Sequence, residues 1–280
     1  MMSLWIERGA FMVELLALLF CAKVLRDLSA IRRGRRLNAQ LTEHDNPAAA
    51  LDLAGALLAL VTALLGSLLI GSETWLGQAS ELAISGLAVL LILSFNGWLT
   101  DKAILRGIDD YRAIYEDRNV GVAACRSASV MATGLIIRGA FAHEAPWLEA
   151  ISWVCVGQLA LMVMALLYQW ITPYDDLAEI RGGNLAAALP LAGILFAVGL
   201  TVEAAIEGEP AGFSETLPLV LGYLALAGGL LWLLRLFVDR VLMPGVSLSD
   251  EIAKDRNVGA GLLEASSFIA CAELINYFLH

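Results

Sequence analysis

The sequence predicts an all-α integral membrane protein with eight transmembrane helices, arranged as two parallel four-helix repeats. Three observations support this fold class. The 280-residue chain is 59% hydrophobic and 16% charged, whereas a soluble domain carries about 25% charged residues. Its apolar residues form blocks long enough to cross a bilayer. The motif DRNVG occurs twice, at residues 117–121 and 255–259.

Eight apolar blocks define the predicted helices, since a membrane-spanning helix needs about 20 mainly apolar residues. We expect helices over residues 9–30, 47–71, 82–100, 120–141, 147–171, 184–206, 214–238 and 257–279. The first block ends in charged residues, and no small-residue cleavage site follows it. This pattern indicates a transmembrane helix rather than a cleaved signal peptide.

The basic residues predict the orientation of the chain. Of the 18 Lys and Arg, all except Arg8, Arg126 and Arg138 lie at or beyond the same end of the predicted helices. Basic loops stay in the cytoplasm, so we expect a multi-pass protein of the inner (plasma) membrane with both termini outside, in the periplasm of a Gram-negative cell. The basic inner face suits an anionic lipid bilayer, and nothing in the sequence indicates a nucleic-acid partner.

The two halves of the chain repeat each other. A shift of 138 residues brings Asp117 onto Asp255, Asn46 onto Asn184 and Asp101 onto Asp239 without a gap. It divides the chain into repeats 1–141 and 142–280, each with four predicted helices. An even number of spans makes the repeats parallel, so we expect a pseudo-two-fold axis along the membrane normal. The chain would then be a fused dimer, with further homo-oligomerisation left open.

Long stretches of the second half resemble a known bacterial inner-membrane family. They are TPYDDLAEIRGGNLAAALPLAG (172–193) and DRVLMPGVSLSDEIAKDRNVGAGLLEASSFIA (239–270), and the first half has a similar copy in HDNPAAALDLAG and DRNVGVAACRSASVMA. The family is the domain of unknown function numbered 350, to which YjfL-like proteins belong. The resemblance implies a four-helix membrane unit in two tandem copies. It implies fold rather than chemistry, because the family has no assigned activity.

Two recurrent motifs supply candidate residues at the predicted cytoplasmic surface. The cytoplasmic motif consists of Asp117, Arg118, Asn119, Asp255, Arg256 and Asn257. Its asparagines are favourable N-caps for the helices that follow, and the alternative interpretation is a gate of paired charges. A helix-start motif contains Asn46 and Asn184, which either cap a helix or line a polar vestibule. Ser247 predicts a further short helix before the second DRN.

Two charged residues are predicted inside the membrane. Arg126 and Glu264 are repeat equivalents, each about 10 Å beyond the start of its helix, and they carry opposite charge. Charged side chains in a membrane face the protein interior and usually pair. We therefore expect an ion pair or pathway formed by Arg126 and Glu264 with the hydroxyl groups of Ser129, Thr133 and Ser267, which follow on the same helical faces.

These residues favour a channel or transporter for an ion or small solute, with a polar site between the repeats. The alternative is a non-transporting scaffold, which recruits a cytoplasmic envelope-stress protein through basic loops such as residues 31–36. An enzyme is disfavoured, because the sequence offers no nucleophile beside a base and no cluster of metal ligands. We assign no catalytic residue, metal site or cofactor. The four cysteines fall inside predicted spans without CxxC spacing, which favours a structural role.

Overall fold

The computed structural model describes residues 2–32, 34–67, 75–142, 147–207 and 212–279. These residues form helices and no strands. The long helices are α1 (Met2–Arg32), α3 (Pro47–Ser67), α4 (Trp75–Leu99), α6 (Val120–Ala140), α7 (Trp147–Ile171), α9 (Leu185–Glu207), α10 (Phe213–Phe237) and α12 (Val258–Leu279). The short helices are α2 (Leu37–Thr42), α5 (Asp110–Tyr115), α8 (Asp176–Arg181) and α11 (Leu248–Ala253). Helices α4 and α10 continue into π-helical turns at Thr100–Ile104 and Val238–Leu242, which are repeat equivalents.

Within the described residues, seven of the long helices are long and apolar enough to cross a membrane: α3, α4, α6, α7, α9, α10 and α12. The multi-pass helical membrane fold is therefore confirmed at this level. Helix α1 is not among the seven, and it carries Glu14, Lys23 and Arg26 along its length. The helix bounds lie close to the apolar blocks, since backbone groups in a bilayer must find their hydrogen bonds within the segment itself.

Each half contains the same smaller unit twice: a long helix, a short helix, and a second long helix that follows an asparagine. These asparagines are Asn46, Asn119, Asn184 and Asn257, and each accepts hydrogen bonds from amides in the first turn of the helix that follows. The residue before each asparagine has a positive φ: Asp45, Arg118, Gly183 and Arg256, at 46°, 53°, 77° and 51°. This left-handed residue turns the chain sharply between the short helix and the long one.

The four helices that begin at these asparagines, α3, α6, α9 and α12, pack side by side in that order. We refer to them as the row. They run parallel: Gly121 and Ala188, both near the starts of α6 and α9, lie together, and Gly139 and Glu203 lie together near the ends. Small residues allow such close approach between membrane helices. Helices α1, α4, α7 and α10 form a second layer against the row.

The contact between the two halves is asymmetric, since it joins a helix of one half to a different helix of the other without the reciprocal contact among the described residues. Helix α6 of the first half packs extensively on α9 of the second half. A two-fold axis would repeat this contact between α12 and α3, yet those helices have no extensive packing within the described residues. The expected pseudo-two-fold axis is therefore not observed. An even number of spans makes both halves enter the membrane in the same direction, but it does not determine the rotation that relates them.

Candidate functional site

Arg126 lies at the centre of a charged cluster in the first half. Its side chain, 15% exposed, extends from α6 toward carboxylates on three other elements. Its Nε lies 3.2 Å from Asp52 Oδ1 on α3, and its Nη1 lies 2.7 Å from Asp101 Oδ1 in the π turn. Nη1 also contacts Asp110 at the start of α5. Arg26 of α1 pairs with the other oxygen of Asp52.

These five charged side chains line a cavity of about 290 Å³. Aromatic and apolar residues complete its wall, including Tyr111, Tyr115 and Trp98. Three carboxylates facing two guanidinium groups give the cavity a formal charge of about −1 when all five are ionised. Buried charges persist only when they are paired and hydrogen-bonded, so this cluster satisfies its own charges and retains one excess carboxylate.

A second buried ion pair lies in the other half. Glu264 on α12 is fully buried and accepts a hydrogen bond from Arg235 Nη1 on α10. Arg235 Nη2 donates to Ser249 Oγ at 3.0 Å. The central carbon of the same guanidinium, Cζ, lies 5.7 Å from the centre of the Tyr174 ring. Glu264 Oε2 has no hydrogen-bond partner among the described residues. This pair joins α12 to its neighbour in the second layer.

The structure does not bring Arg126 and Glu264 together. Each finds opposite charge inside its own half, and α9 lies between α6 and α12 in the row. The repeat shift explains the difference. The position equivalent to Arg235 is Gly97, which lies beside the Arg126 guanidinium, so the arginine is on the fourth helix in the first half and on the third helix in the second.

A buried chain of polar side chains extends from the Arg126 cluster toward the middle of the membrane. Thr100, next to Asp101, shares a hydrogen bond of 2.8 Å with Ser129 of α6. Asn96 Nδ2 of α4 lies 3.3 Å from Ser129 Oγ and donates to Gln158 Oε1 of α7 at 2.9 Å. Gln158 Nε2 then donates to Thr133 Oγ1 at 2.9 Å. We call these five residues the polar chain, and it connects α4 and α6 of the first half with α7 of the second.

Ser129 and Thr133 thus belong to one buried network. Ser267 does not join it: its hydroxyl donates to the carbonyl of Glu264 on its own helix at 2.7 Å. Sequence reasoning missed Asn96, Gln158, Asp110 and Arg235. A signal for three of them was available, since Asn96, Gln158 and Arg235 are strongly polar residues inside apolar blocks.

The DRN and helix-start motifs hold helix ends together. Asn46 Nδ2 donates to Ile114 O at 2.9 Å, and Asn184 Nδ2 makes the equivalent bond to Ile252 O at 2.8 Å. Asn119 Nδ2 donates across the two halves to Ile180 O at 2.7 Å. Asp117, Arg118, Asp255 and Arg256 are exposed at this same end. The geometry fits the capping interpretation, and Asn46 and Asn184 are buried rather than exposed to a vestibule.

One carboxyl outside the membrane-spanning helices has an altered proton affinity. Asp176, the first residue of α8, is buried and accepts a hydrogen bond from the Thr172 hydroxyl. Burial raises its pKa to about 7, because a charged carboxylate loses its hydration. The Thr172 hydrogen bond and the positive charge of Arg235 oppose this shift. Within the described ranges, no cluster of three or more His, Cys, Asp or Glu side chains could hold a metal ion.

Comparison with protein families agrees with the two-copy architecture. The model of one family, described as Domain of Unknown Function (DUF350), matches residues 2–141 and 142–279. The chain belongs to the DUF350 family. The two matches meet where the structure passes from α6 to α7, so each copy of the DUF350 unit comprises four long helices. No curated protein and no solved structure matches the chain.

Proposed function

We propose that this DUF350 protein transports a small cation across the membrane, through the charged cavity of its first half and the polar chain. The observation that carries this proposal is that the cavity and the polar chain adjoin. Asp101 lines the cavity, its sequence neighbour Thr100 is hydrogen-bonded to Ser129 in the polar chain, and the chain continues to Thr133, about two-thirds of the way along α6. Arg126 then acts as an internal cation, which a substrate cation displaces from the carboxylates.

The second half supports a functional rather than a structural role for these residues. At the positions equivalent to Asn96, Thr100 and Thr133 it has Leu234, Val238 and Cys271. In the second half the equivalent helices α7, α9, α10 and α12 pack around a cavity of only about 30 Å³, which is lined mainly by apolar side chains. The DUF350 unit therefore folds without the polar chain. Polar groups inside a membrane cost free energy. Where the fold does not require such groups, their presence favours a functional role.

Cation flux into proteoliposomes tests this proposal. Asn96→Leu with Thr100→Val introduces the residues of the second half, and we expect it to reduce flux at least tenfold while the protein stays folded. Asp101→Asn should also reduce flux, because it removes a cavity carboxylate. Thr201→Val is the matched control, since that buried hydroxyl donates to the carbonyl of Ala197 on its own helix and to no other helix within the described residues. Unchanged flux in the Asn96/Thr100 variant would reject the proposed route.

The topology belongs to the same proposal. We assign α1 as an eighth span, which places the DRN ends of the row in the cytoplasm and both termini outside. Labelling of cysteines introduced at Ser3 and His280 with a membrane-impermeant reagent tests this assignment. We expect both sites to react in intact cells, and protection of both would contradict the topology.

A scaffold remains the second candidate function. Its supporting observation is that Arg118 and Arg256 are both exposed, at equivalent positions and with the same left-handed backbone. Such a pair could bind a cytoplasmic protein with two acidic sites. Loss of partner binding in the Arg118→Ala/Arg256→Ala variant, with no flux in the unmodified protein, would favour the scaffold over the transporter.

A further inference from the structure

The row of helices α3, α6, α9 and α12 has two unlike ends. In the middle, α6 and α9 each have a row neighbour on both sides, and no residue of α6 is exposed. At the ends, α3 and α12 each have a row neighbour on one side only within the described residues. The open side of α12 is equivalent to the side of α6 that packs on α9. The open side of α3 is equivalent to the side of α9 that packs on α6.

The residues of the two open sides are the repeat counterparts of a tight internal interface. The α12 face consists of Gly259, Leu263, Ser266 and Ala270, which are all exposed. Their counterparts on α6 are Gly121, Cys125, Ala128 and Ala132. The α3 face consists of Ala50, Ala54, Leu57 and Val61, which are exposed or half-buried. Their counterparts on α9 are Ala188, Ala192, Leu195 and Gly199, which are all buried.

We propose that a second copy of this chain binds head to tail, with the α12 face of one copy packed on the α3 face of the next. The new interface continues the packing that joins α6 to α9 inside each chain. Interfaces of this unlike-to-unlike kind close into a ring when the rotation per copy fits, and otherwise form an open array. The occupant is another copy rather than an unrelated protein, because both required surfaces belong to one chain.

Polar groups on α12 support a protein partner rather than lipid. Ser266 and Glu273 lie on the same exposed stripe as Gly259 and Ala270, and ionisable side chains in membrane helices face protein or water rather than lipid tails. The DRN end of the row gives a further parallel between the internal interface and the proposed one. Asn119 donates across the internal interface to Ile180 O at 2.7 Å; the repeat counterparts are Asn257 and Thr42, which are both exposed.

Towards the C-terminal ends of α12 and α3, the residues of the two faces differ more from their repeat counterparts on α6 and α9. Tyr277 stands where α6 has Gly139, and Leu65 stands where α9 has Glu203, which pairs with Arg138. A tyrosine cannot approach a neighbouring backbone as closely as a glycine does. We therefore expect the tightest contact between copies from Gly259 to Ala270 on α12, before Tyr277, and the cross-linking position on α12 lies within this stretch.

Disulfide cross-linking in membranes tests the interface. In a background with all four cysteines (Cys21, Cys125, Cys155 and Cys271) changed to Ala, Ala270→Cys is combined with Val61→Cys, the counterparts of the adjacent Ala132 and Gly199. We expect oxidation to produce covalent dimers and higher species. Leu91→Cys with Leu226→Cys is the matched control, since both side chains are exposed on the second layer, and it should stay monomeric.

The pattern of products distinguishes the possible arrangements. Ala270→Cys alone should give no cross-link, because α12 meets α3 and not another α12. A cross-link from that single variant, equal to that of the pair, would instead show a face-to-face dimer and overturn the proposal. The absence of any cross-linked species in the paired variant would overturn it as well, with the α12 face then covered by lipid.

Native mass measurement of the detergent-solubilised full-length protein gives a second, independent readout. Ala270→Trp adds bulk to the α12 face and should reduce the mass to that of one chain. Ala225→Trp makes the same change at an exposed position of α10 and should leave the oligomer unchanged. A single-chain mass for the unmodified protein in lipid nanodiscs would contradict the proposal. These readouts do not depend on transport, so either proposal can fail alone.

Discussion

Arg126 and Glu264 occupy equivalent positions in the two halves, carry opposite charge, and are each paired with opposite charge within their own half. The duplicated unit thus keeps a charged residue at one depth of its fourth helix and supplies opposite charge from the third helix or the turn that follows it. In the first half Asp101 serves this purpose together with Asp52 and Asp110 on other elements, and in the second half Arg235 does. The two arrangements differ, because the cavity with one excess carboxylate lies beside Arg126 and not beside Glu264.

The Arg235–Glu264 pair should show strong coupling in a double-mutant cycle. Arg235→Leu or Glu264→Leu alone leaves one buried charge unpaired, and we expect each to lower the free energy of unfolding by about 3–5 kcal/mol. The double variant should recover most of this loss. Chemical denaturation in bicelles measures all four proteins.

The cycle has a built-in control. Arg126→Leu combined with Glu264→Leu should show additive effects, within about 0.5 kcal/mol, because these residues share no partner. Coupling between Arg126 and Glu264 with none between Arg235 and Glu264 would contradict the pairing of Glu264 with Arg235.

Much of this fold could be predicted from the sequence, because a bilayer requires about 20 apolar residues per helix. The block at 147–171 and helix α7 (Trp147–Ile171) coincide. The asparagine caps were also predictable, since capping is local. The partner of Arg126 was not, because membrane helices are apolar all round and their pattern does not show which face meets protein. Asp52 is an isolated acid in an apolar block, and only the packing of α3 on α6 makes it a partner.

The contact between α6 and α9 should be sensitive to a single methyl group. A Cβ at Gly199 would lie 2.6 Å from Ala132 Cα, which is backbone and cannot move aside. We expect Gly199→Ala to lower the free energy of unfolding by about 1–3 kcal/mol, as overpacking does elsewhere. Thermal unfolding in detergent measures the change.

Gly229 of α10 provides the matched control, because a Cβ there meets nothing within 4 Å. Gly229→Ala should be neutral or stabilise by up to about 1 kcal/mol, since alanine favours the helix. Equal losses at Gly199 and Gly229 would show that the row is more loosely packed than described.

Asp176 should make stability depend on pH. Its pKa is about 7 in the folded protein, against about 3.9 for an unperturbed aspartate. The folded state therefore binds more protons between these values, and this stabilisation is complete below about pH 4 and lost as pH rises through 7. We expect the unfolding temperature to fall between pH 5 and pH 8.

Asp176→Asn removes the titrating group and should flatten that part of the pH profile. Thr172→Val removes the hydrogen bond that favours the charged carboxylate, so it should extend the loss of stability to higher pH. A profile that is identical in the unmodified protein and Asp176→Asn would assign the pH dependence to another group.

Substitution of Asn46, which bonds to Ile114 O, tests whether the recurrent asparagines do more than cap helices. Asn46 Oδ1 accepts from Ala48 N and Ala49 N at 3.0 and 3.2 Å, while its Nδ2 donates to Gln40 Oε1 at 2.8 Å and to Ile114 O at 2.9 Å. Asn46→Ala loses the cap, at about 1 kcal/mol, and leaves a buried carbonyl unpaired, at about 1–3 kcal/mol. We therefore expect a total loss of about 2–4 kcal/mol in chemical denaturation.

Asn46→Asp separates the two contributions. The carboxylate keeps the acceptor for the cap but has no donor for Ile114 O, and it places negative charge against that carbonyl, so the variant should remain as unstable as Asn46→Ala. Asn257 is exposed and caps α12 with bonds of 3.0 and 3.3 Å, so Asn257→Ala should cost only the cap, about 1 kcal/mol. Full stability of Asn46→Asp, or equal losses in Asn46→Ala and Asn257→Ala, would show that capping alone accounts for these asparagines.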